Sequence, residues 1–238
     1  MSFGNFGQGR GYGQPGGIAA PATAAVQGSF LTQAFFWMFA GLLLSAAVAT
    51  VVQFNESLVE FAASNFLILI IAQLGLVLAI GFGINRINAT LALGLFFVYA
   101  ASLGLTIGLI VLAYTQTSVA AAFLSASAMF GGAALYGAVT KRNLAGIGSI
   151  AFMALIGLIV ASVVNIFLGS DTIGWIISLA GVAIFTALTA WDVQRIQSGQ
   201  LVAMTGSVEK AAVIGALHLY LDFVNLFLFL LRLFGDRR

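Results

Sequence analysis

The sequence predicts an all-α integral membrane protein with seven transmembrane helices. Hydrophobic residues make up 61% of the 238 residues and charged residues only 7%, whereas about 25% of the residues in a soluble domain are charged. The apolar residues form seven long stretches, each close to the roughly 20 residues with which an α-helix crosses the hydrocarbon layer. Because backbone groups in lipid must find partners within their own segment, and the alternating pattern of a barrel is absent, these stretches are helices. The composition excludes a soluble enzyme and a nucleic-acid-binding protein.

A segment of different composition precedes the first stretch. Residues 1–29 contain eight glycines, both prolines of the chain and a single charge, Arg10. Such a segment lacks the apolar periodicity that would offset the entropy lost on ordering. It also lacks the basic region and compact apolar run of a signal peptide. We therefore predict a disordered, Gly/Pro-rich cytoplasmic tail over 1–29 and a seven-helix transmembrane domain over 30–238.

The seven stretches follow one another with short connections, apart from a polar segment at 197–210. Aromatic residues such as Trp37 and Trp175 lie near predicted helix ends, as residues at the membrane interface do. The stretches run approximately over 30–53, 65–84, 89–112, 118–139, 147–168, 172–196 and 211–234. Small residues within them predict close helix packing; they include Gly41, Gly104, Gly108, Gly131 and Gly132.

The distribution of Lys and Arg predicts the orientation in the membrane. Since cytoplasmic loops are enriched in Lys and Arg, the amino terminus and the even-numbered connections are expected in the cytoplasm. The positive residues on that side are Arg10, Arg86, Lys141, Arg142, Arg195 and Lys210, and the opposite internal connections carry Glu56, Glu60 and Asp171. Seven crossings place the carboxyl terminus, which ends in GDRR, outside. A full crossing by the seventh stretch is favoured over a re-entrant one.

Two aspartates stand out because they lie inside predicted spans. A carboxylate at the centre of a membrane helix costs at least about 2.5–3.5 kcal/mol, so it faces a cavity, a partner or a pathway. Asp192 lies near the cytoplasmic end of the sixth stretch, and Asp222 lies eleven residues into the seventh, about 16 Å deep. The two helices run in opposite directions, so we expect the aspartates to be neighbours. A plain alternative for Asp192 is an interfacial salt bridge with Arg195.

The polar residues of the seventh stretch share one side of the helix. At 100° per residue they fall within an arc of about 80°, so this helix has a wet or protein-lined side and is expected to line or plug an internal cavity. The stripe consists of His218, Asp222, Asn225 and Arg232. For His218 alone, the plain alternative is a packing histidine. Gln73 is expected to form an interhelical hydrogen bond.

The chemistry open to two neighbouring carboxylates is narrow. They resist simultaneous ionisation and can share a proton near neutral pH. A divalent cation can replace that proton, but tight calcium binding takes six to eight oxygens. Asp192 and Asp222, helped by Asn225, therefore predict weak, proton-competed Ca²⁺ occupancy of a pathway.

No other cofactor is expected. With no cysteine and one histidine, the chain cannot build thiolate or multi-histidine centres. We predict that it is not an enzyme, because the GxSG motif of intramembrane serine proteases is absent. An intramembrane aspartyl protease, which also uses two aspartates on neighbouring helices, is the more serious alternative, but the chain lacks its GxGD motif.

Several segments carry a family resemblance, above all TALTAWDVQRI and ALHLYLDFVNLFLFLLRLFG, with support from MFGGAALYGAVTKRNL and MALIGLIVASVVNIFL. From about residue 30 to 238 the sequence resembles the Bax inhibitor-1 (transmembrane Bax inhibitor motif) family, in its bacterial branch. The resemblance implies six helices in two three-helix layers around a central seventh. It also implies a location in the bacterial plasma (inner) membrane.

The resemblance further implies a pH-dependent calcium leak governed by Asp192 and Asp222. Arg232 would take part in a gate-closing latch, for which Gln73 is the nearest candidate partner on the second helix, although it is not acidic. Asn143 replaces the usual aspartate after KR, and Trp191 replaces the commoner tyrosine before Asp192. Some bacterial relatives are thought to modulate membrane proteases.

The sequence therefore predicts a pH-sensitive passive leak for calcium or other cations, gated by the Asp192/Asp222 pair. The alternative is a non-transporting membrane regulator that binds a membrane protease or a stress-response partner. In that case the amino-terminal tail and the 197–210 segment would carry the contact.

Overall fold

A computed structural model describes residues 24–236 of the chain, and every regular element in that range is an α-helix. The first 23 residues of the predicted tail (1–29) lie outside the described residues, and the first helix begins at Ala24. The helices are α1 (Ala24–Gln53), α2 (Glu56–Ser64), α3 (Phe66–Gly83), α4 (Ala89–Val111), α5 (Gln116–Val139), α6 (Ala145–Leu168), α7 (Asp171–Gln197), α8 (Gln200–Thr205) and α9 (Val208–Phe234).

The prediction of seven transmembrane helices is confirmed. Within the described residues, seven helices are long and apolar enough to cross a membrane, namely α1, α3, α4, α5, α6, α7 and α9. Side-chain caps define several of their starts: Asn88, Thr115 and Ser170 each accept a hydrogen bond from a backbone N–H in the first turn of the following helix. Such caps satisfy backbone donors that the helix itself leaves unpaired.

Helix α9 lies at the centre of the bundle. It packs against α1, α4, α5, α7 and α8, whereas α3 packs mainly on α4 and α6 on α7. In the most apolar 18-residue stretch of α9, 72% of the residues are buried, whereas the corresponding shares are 11% in α3 and 17% in α6. The seventh long helix is therefore surrounded by protein, and α3 and α6 present most of their surface to lipid.

Close packing joins α1 to α4. A Cβ atom added to Gly104 would lie 2.8 Å from the Ser45 carbonyl oxygen, and one on Gly41 would lie 2.6 Å from the Phe96 ring. The predicted role of these glycines, and of Gly108 against Val52, is confirmed. For Gly131 and Gly132 the prediction was wrong, because a Cβ on either would meet nothing within 4 Å. This face of α5 is exposed, so no neighbour requires a glycine there.

Helices α7 and α9 run antiparallel and pack closely along most of their length. A Cβ on Gly215 would lie 3.1 Å from Ile196 near one end of the interface, and a Cβ on Gly181 would lie 2.5 Å from the Phe229 ring further along. At the far end, the Arg232 guanidinium lies against Gly174. Because the helices are antiparallel, residues that face each other have numbers with nearly the same sum, as in the pairs 196/215 and 181/229. By this rule residue 192 faces residue 218, and residue 189 faces residue 222.

The two ends of the bundle differ in charge. We call the end with the connections 84–88, 140–144 and 198–207 the basic end, since it carries Arg86, Lys141 and Arg142. The opposite end, with connections 54–65, 112–115 and 169–170, is the acidic end, since it carries Glu56, Glu60 and Asp171.

Helix α9 has 27 residues and leads from the basic to the acidic end. There the Thr115 N–H donates to the Asp236 carbonyl (3.1 Å), and the Asp236 N–H donates to Ser118 Oγ (2.9 Å). The last helix is therefore long enough for a full crossing.

Candidate functional site

Asp192 and Asp222 meet at the interface of α7 and α9. Both are buried, with 7% and 3% of their surface exposed. Asp222 faces Asp192 and the side chain of Thr189, which lies one turn before Asp192 on α7. The antiparallel register of the two helices brings these residues together.

Asp192 is also held by two nitrogen-bearing side chains. Its Oδ1 atom lies 3.1 Å from Arg195 Nη1 on the same helix and 3.5 Å from His218 Nδ1 on α9. The salt bridge weighed as a plain alternative is thus present, but it lies inside the aspartate cluster. The polar layer at this depth contains one carboxylate, one imidazole and one guanidinium, and Asp222 lies one helical turn further along α9.

Two atoms of the cluster have no hydrogen-bond partner. They are His218 Nδ1 and Asp222 Oδ2, and the only other such buried side-chain atom in residues 30–236 is Asn165 Oδ1 on α6. Leaving a buried polar atom unpaired costs about 1–3 kcal/mol, and more for a charged group. Each such atom in a native structure calls for an explanation, and two of the three occur at this one interface, which makes it the candidate site.

Arg195 covers the cluster at the basic end. Its Nε donates to Gln200 Oε1 (3.2 Å) and its Nη2 approaches Met204 Sδ at 3.8 Å, both on α8. The guanidinium also lies 4.5 Å from the centre of the Trp191 ring, a cation–π distance. Helix α8 therefore holds Arg195 over Asp192, a contact that sequence reasoning missed. The contact of Arg195 with Trp191 had a signal in the sequence, because the WDVQR spacing places residues 191 and 195 on one helix face, whereas the contact with α8 had none.

Aromatic side chains close the interface on the other side. Phe185 of α7 and Phe229 of α9 have ring centres 5.9 Å apart, and Phe229 also fills the space beside Gly181. Phe185 lies one turn beyond Thr189 in the direction of the acidic end. The carboxylates are thus separated from that end by an apolar contact.

The remaining predicted residues have separate partners. The Asn225 amide donates to the Leu221 carbonyl of its own helix (2.8 Å). Gln73 donates to the Ser102 carbonyl (2.9 Å) and to Thr106 Oγ1 (2.8 Å) on α4, so its interhelical hydrogen bond is confirmed. Arg232 is exposed and lies against Gly174 of α7. The structure does not bring Gln73 and Arg232 together.

A second polar cluster, missed by sequence reasoning, lies on the opposite side of α9. Ser45 Oγ of α1 lies 2.6 Å from the Tyr220 hydroxyl and donates to the Ala100 carbonyl of α4 at 2.7 Å. The Tyr220 ring packs edge-on against Phe96 and Tyr99. Small hydroxyl residues occur throughout the sequence, so nothing singled out Ser45.

The donor set limits what the site can bind. In the described part of the chain, no group of three or more His, Cys, Asp or Glu side chains is assembled to hold a metal ion. Two carboxylates and a neighbouring hydroxyl provide fewer oxygens than the six to eight of a tight calcium site. The arrangement suits brief, weak contact with a cation.

Comparison with known proteins gives a consistent result over nearly the whole chain. A protein-family model described as "Inhibitor of apoptosis-promoting Bax1" matches residues 27–238. Inner membrane protein YbhL of Escherichia coli (strain K12) is 43% identical over 216 residues, which cover 88% of this chain and 92% of the relative. An uncharacterized protein of Borreliella burgdorferi is 40% identical over 218 residues, 90% and 94% of the two chains. One of Deinococcus radiodurans is 40% identical over 210 residues, 88% and 91%.

Proposed function

Because this chain belongs to the Bax inhibitor-1 family and is a multi-pass membrane protein, we propose that it is a pH-sensitive passive leak for calcium or other cations. The observation that carries the proposal is the pair Asp192 and Asp222, buried on facing helices of a lipid-embedded bundle with Asp222 Oδ2 unpaired. Ionisable groups at membrane depth are expensive and mark ion pathways and proton relays. A satisfied structural carboxylate would have its oxygens hydrogen-bonded.

The proposed gating follows from competition at the carboxylate oxygens. Protons and a divalent cation compete for the same carboxylate oxygens, so a lower pH reduces cation occupancy. Arg195 supplies a third competitor, since its guanidinium already contacts Asp192 Oδ1. In this proposal a cation that enters from the basic end displaces the guanidinium from Asp192 and then reaches Asp222 one turn deeper.

The arrangement described here corresponds to a closed state in this scheme. Phe185 and Phe229 lie between the carboxylates and the acidic end, so passage requires α7 and α9 to separate at that contact. Because α9 is the central helix, a small shift or rotation of α9 changes its contacts with α7 and α1 together.

We further propose that the protein lies in the plasma (inner) membrane with its basic end in the cytoplasm. The Escherichia coli relative is called an inner membrane protein, and the Lys/Arg distribution follows the positive-inside rule. The chain has no cysteine, so single cysteines at the two ends of α7 provide a direct test. Gln197→Cys is expected to resist a membrane-impermeant maleimide in intact cells and Thr172→Cys to react. The reverse pattern would contradict the proposed orientation.

Flux in liposomes tests the leak itself. The purified full-length protein is reconstituted with a calcium dye inside the vesicles, and calcium entry is followed at mildly acidic and mildly alkaline pH. We expect pH-dependent entry that Asp192→Asn and Asp222→Asn each abolish, because an amide cannot exchange a proton for a cation. Asp171→Asn, which alters an exposed carboxylate at the acidic end, is the matched control and should behave like the unsubstituted protein.

Two results would overturn the leak. One is the absence of pH-dependent entry in vesicles that contain folded protein, and the other is entry unchanged in both aspartate variants. Either result would favour the non-transporting regulator, for which co-purification of a membrane protease or another partner should survive Asp222→Asn. It should fail when the 197–210 segment is replaced.

A further inference from the structure

A groove opens towards the bilayer between α1 and α5. It has a volume of about 380 Å³, α4 contributes to its back wall, and its floor is formed by Phe223, Val224 and Phe227 of the central helix α9. Phe123 of α5 packs edge-on against Phe223, with ring centres 5.6 Å apart. Each of the three floor residues has only 4–7% of its surface exposed, so α9 lines the groove while remaining buried in the bundle.

The groove has an apolar interior and a polar end, which Gln53 of α1 and Gln116 of α5 form. Its interior polar residues are already satisfied, since Ser45 donates to the Ala100 carbonyl (2.7 Å) and Thr50 to the Ala46 carbonyl (2.8 Å). At this polar end, Gln116 Nε2 donates a hydrogen bond to Gln53 Oε1 (3.0 Å), and this bond joins α5 to α1. Among the described residues that line the groove, none is charged. An occupant therefore needs an apolar body and a polar group only at the acidic end.

The length of the groove matches one leaflet of a bilayer. It reaches from Gln53, the last residue of α1, to Leu42, which is eleven residues or about 16 Å along the helix. One leaflet supplies about half of the roughly 30 Å of hydrocarbon in a membrane. The groove thus extends from the headgroup level of that leaflet to the middle of the membrane.

The rims of the groove are continuous with the surface that lipid already covers. Ala46 on α1 and Ala120 on α5 form part of its lining and are themselves exposed. Leu43 and Leu124, next to the rims, are 55% and 68% exposed on helices that span the membrane. Because these two rim residues are alanines, each contributes only a methyl group to the side of the groove, whereas Phe123 of α5, which is 48% exposed, packs against Phe223 and Phe227.

We propose that this groove binds one acyl chain of a bilayer phospholipid from the leaflet at the acidic end. The ester and headgroup region lies beside Gln53 and Gln116, and the chain packs on Phe223 and Phe227 of α9. Bilayer lipid thereby contacts the helix that also carries Asp222. This inference concerns lipid binding alone and stands independently of the proposed cation leak.

Quenching by brominated lipid tests the proposal in the full-length protein. Phe227→Trp places a tryptophan on the floor of the groove, and Phe185→Trp places one at the α7–α9 interface, where the residue is equally buried and lies at a similar depth but does not line the groove. Both are reconstituted in phosphatidylcholine with plain or brominated acyl chains, and the emission of the unsubstituted protein is subtracted. We expect brominated lipid to remove most of the added emission of Phe227→Trp and little of that of Phe185→Trp.

A rim substitution provides the second arm. Ala120→Phe fills the opening and should protect Phe227→Trp from quenching, whereas Ala121→Phe, an exposed neighbour outside the groove, should not. Phe223→Trp serves as a second floor probe if Phe227→Trp does not fold, as judged by its helical circular dichroism. Equal quenching at positions 227 and 185, or quenching that Ala120→Phe leaves unchanged, would overturn the proposal. So would an unquenched floor tryptophan in a protein found to be dimeric, since a second copy would then occupy the groove.

Discussion

Two polar clusters contact the central helix on opposite sides, and they differ in how completely their atoms are paired. On the α1–α4 side, Ser45 and Tyr220 form a hydrogen-bonded unit that reaches the Ala100 carbonyl. On the α7 side, His218 Nδ1 and Asp222 Oδ2 have no hydrogen-bond partner, although His218 Nδ1 lies 3.5 Å from Asp192 Oδ1. The first cluster joins three helices and stabilises them, whereas the second leaves one oxygen of the buried Asp222 carboxylate without a hydrogen bond. Polar residues inside a membrane protein are thus not equivalent, and the incomplete pairing of the second cluster is what makes it the candidate site.

The largest effect on stability is expected where α1 and α4 approach most closely. Gly104→Leu would force a side chain into space 2.8 Å from the Ser45 carbonyl oxygen, and overpacking of this kind costs about 1–3 kcal/mol or more. Gly132→Leu, where a Cβ meets nothing within 4 Å, is the matched control. Unfolding in mixed micelles should show a marked loss of stability for the first variant and almost none for the second. Similar losses for both would mean that α1 and α4 are not packed as described.

The next effect concerns the cover of the aspartate cluster. Arg195→Gln removes the ion pair with Asp192 and the contact with the Trp191 ring, which together should lower the free energy of unfolding by about 1–2 kcal/mol. If the proposed leak is correct, calcium entry should also become faster, because one competitor for Asp192 is gone. Arg142→Gln, an exposed residue at the same end, is the control in both assays. Slower entry in Arg195→Gln would show that the guanidinium helps the cation rather than blocking it.

The smallest effects provide the sharpest contrast between the two clusters. Tyr220→Phe removes a satisfied interhelical hydrogen bond, and such bonds contribute about 0.6 kcal/mol on average and at most about 1.7. Asp222→Asn replaces a buried carboxylate that has one unpaired oxygen with a neutral amide of the same shape, so it should leave the free energy of unfolding unchanged or raise it. In flux measurements the order reverses, with Tyr220→Phe retaining pH dependence and Asp222→Asn losing it. A destabilised Asp222→Asn variant would place Asp222 among the structural residues.

Much of the candidate site could be predicted because a carboxylate in an apolar run is visible without any coordinates. Asp192 and Asp222 were found in this way, and the antiparallel directions of their helices already indicated that they are neighbours. The cover formed by Gln200 and Met204 was out of reach. It depends on α8, a short helix between Gly199 and Gly206, both in the left-handed conformation (φ 73° and 66°), which turn the chain back over Arg195.

The glycines show the same limit from another side. Composition indicates that small residues permit close packing, and Gly104 and Gly41 do so, but it does not tell which face of a helix meets a neighbour. Gly131 and Gly132 therefore looked the same in the sequence and lie on an exposed face of α5. The groove beside Ala120 was equally invisible, since it exists only because α1 and α5 do not close over α9.

The sequence by itself determined that this is a membrane protein with seven membrane-spanning helices, approximately where each of them begins and ends, and which two carboxylates do not belong in lipid. These properties follow from the length and polarity of each local segment, because in lipid the backbone N–H and C=O groups of a spanning helix must hydrogen-bond within that helix. Only the tertiary structure decided that Ser45 and Tyr220 are paired while His218 and Asp222 retain unpaired atoms, that Arg195 covers Asp192, and that Gln73 and Arg232 have different partners. Those outcomes depend on the register and rotation of helices far apart in the chain, which the lipid-facing pattern of each helix alone does not fix.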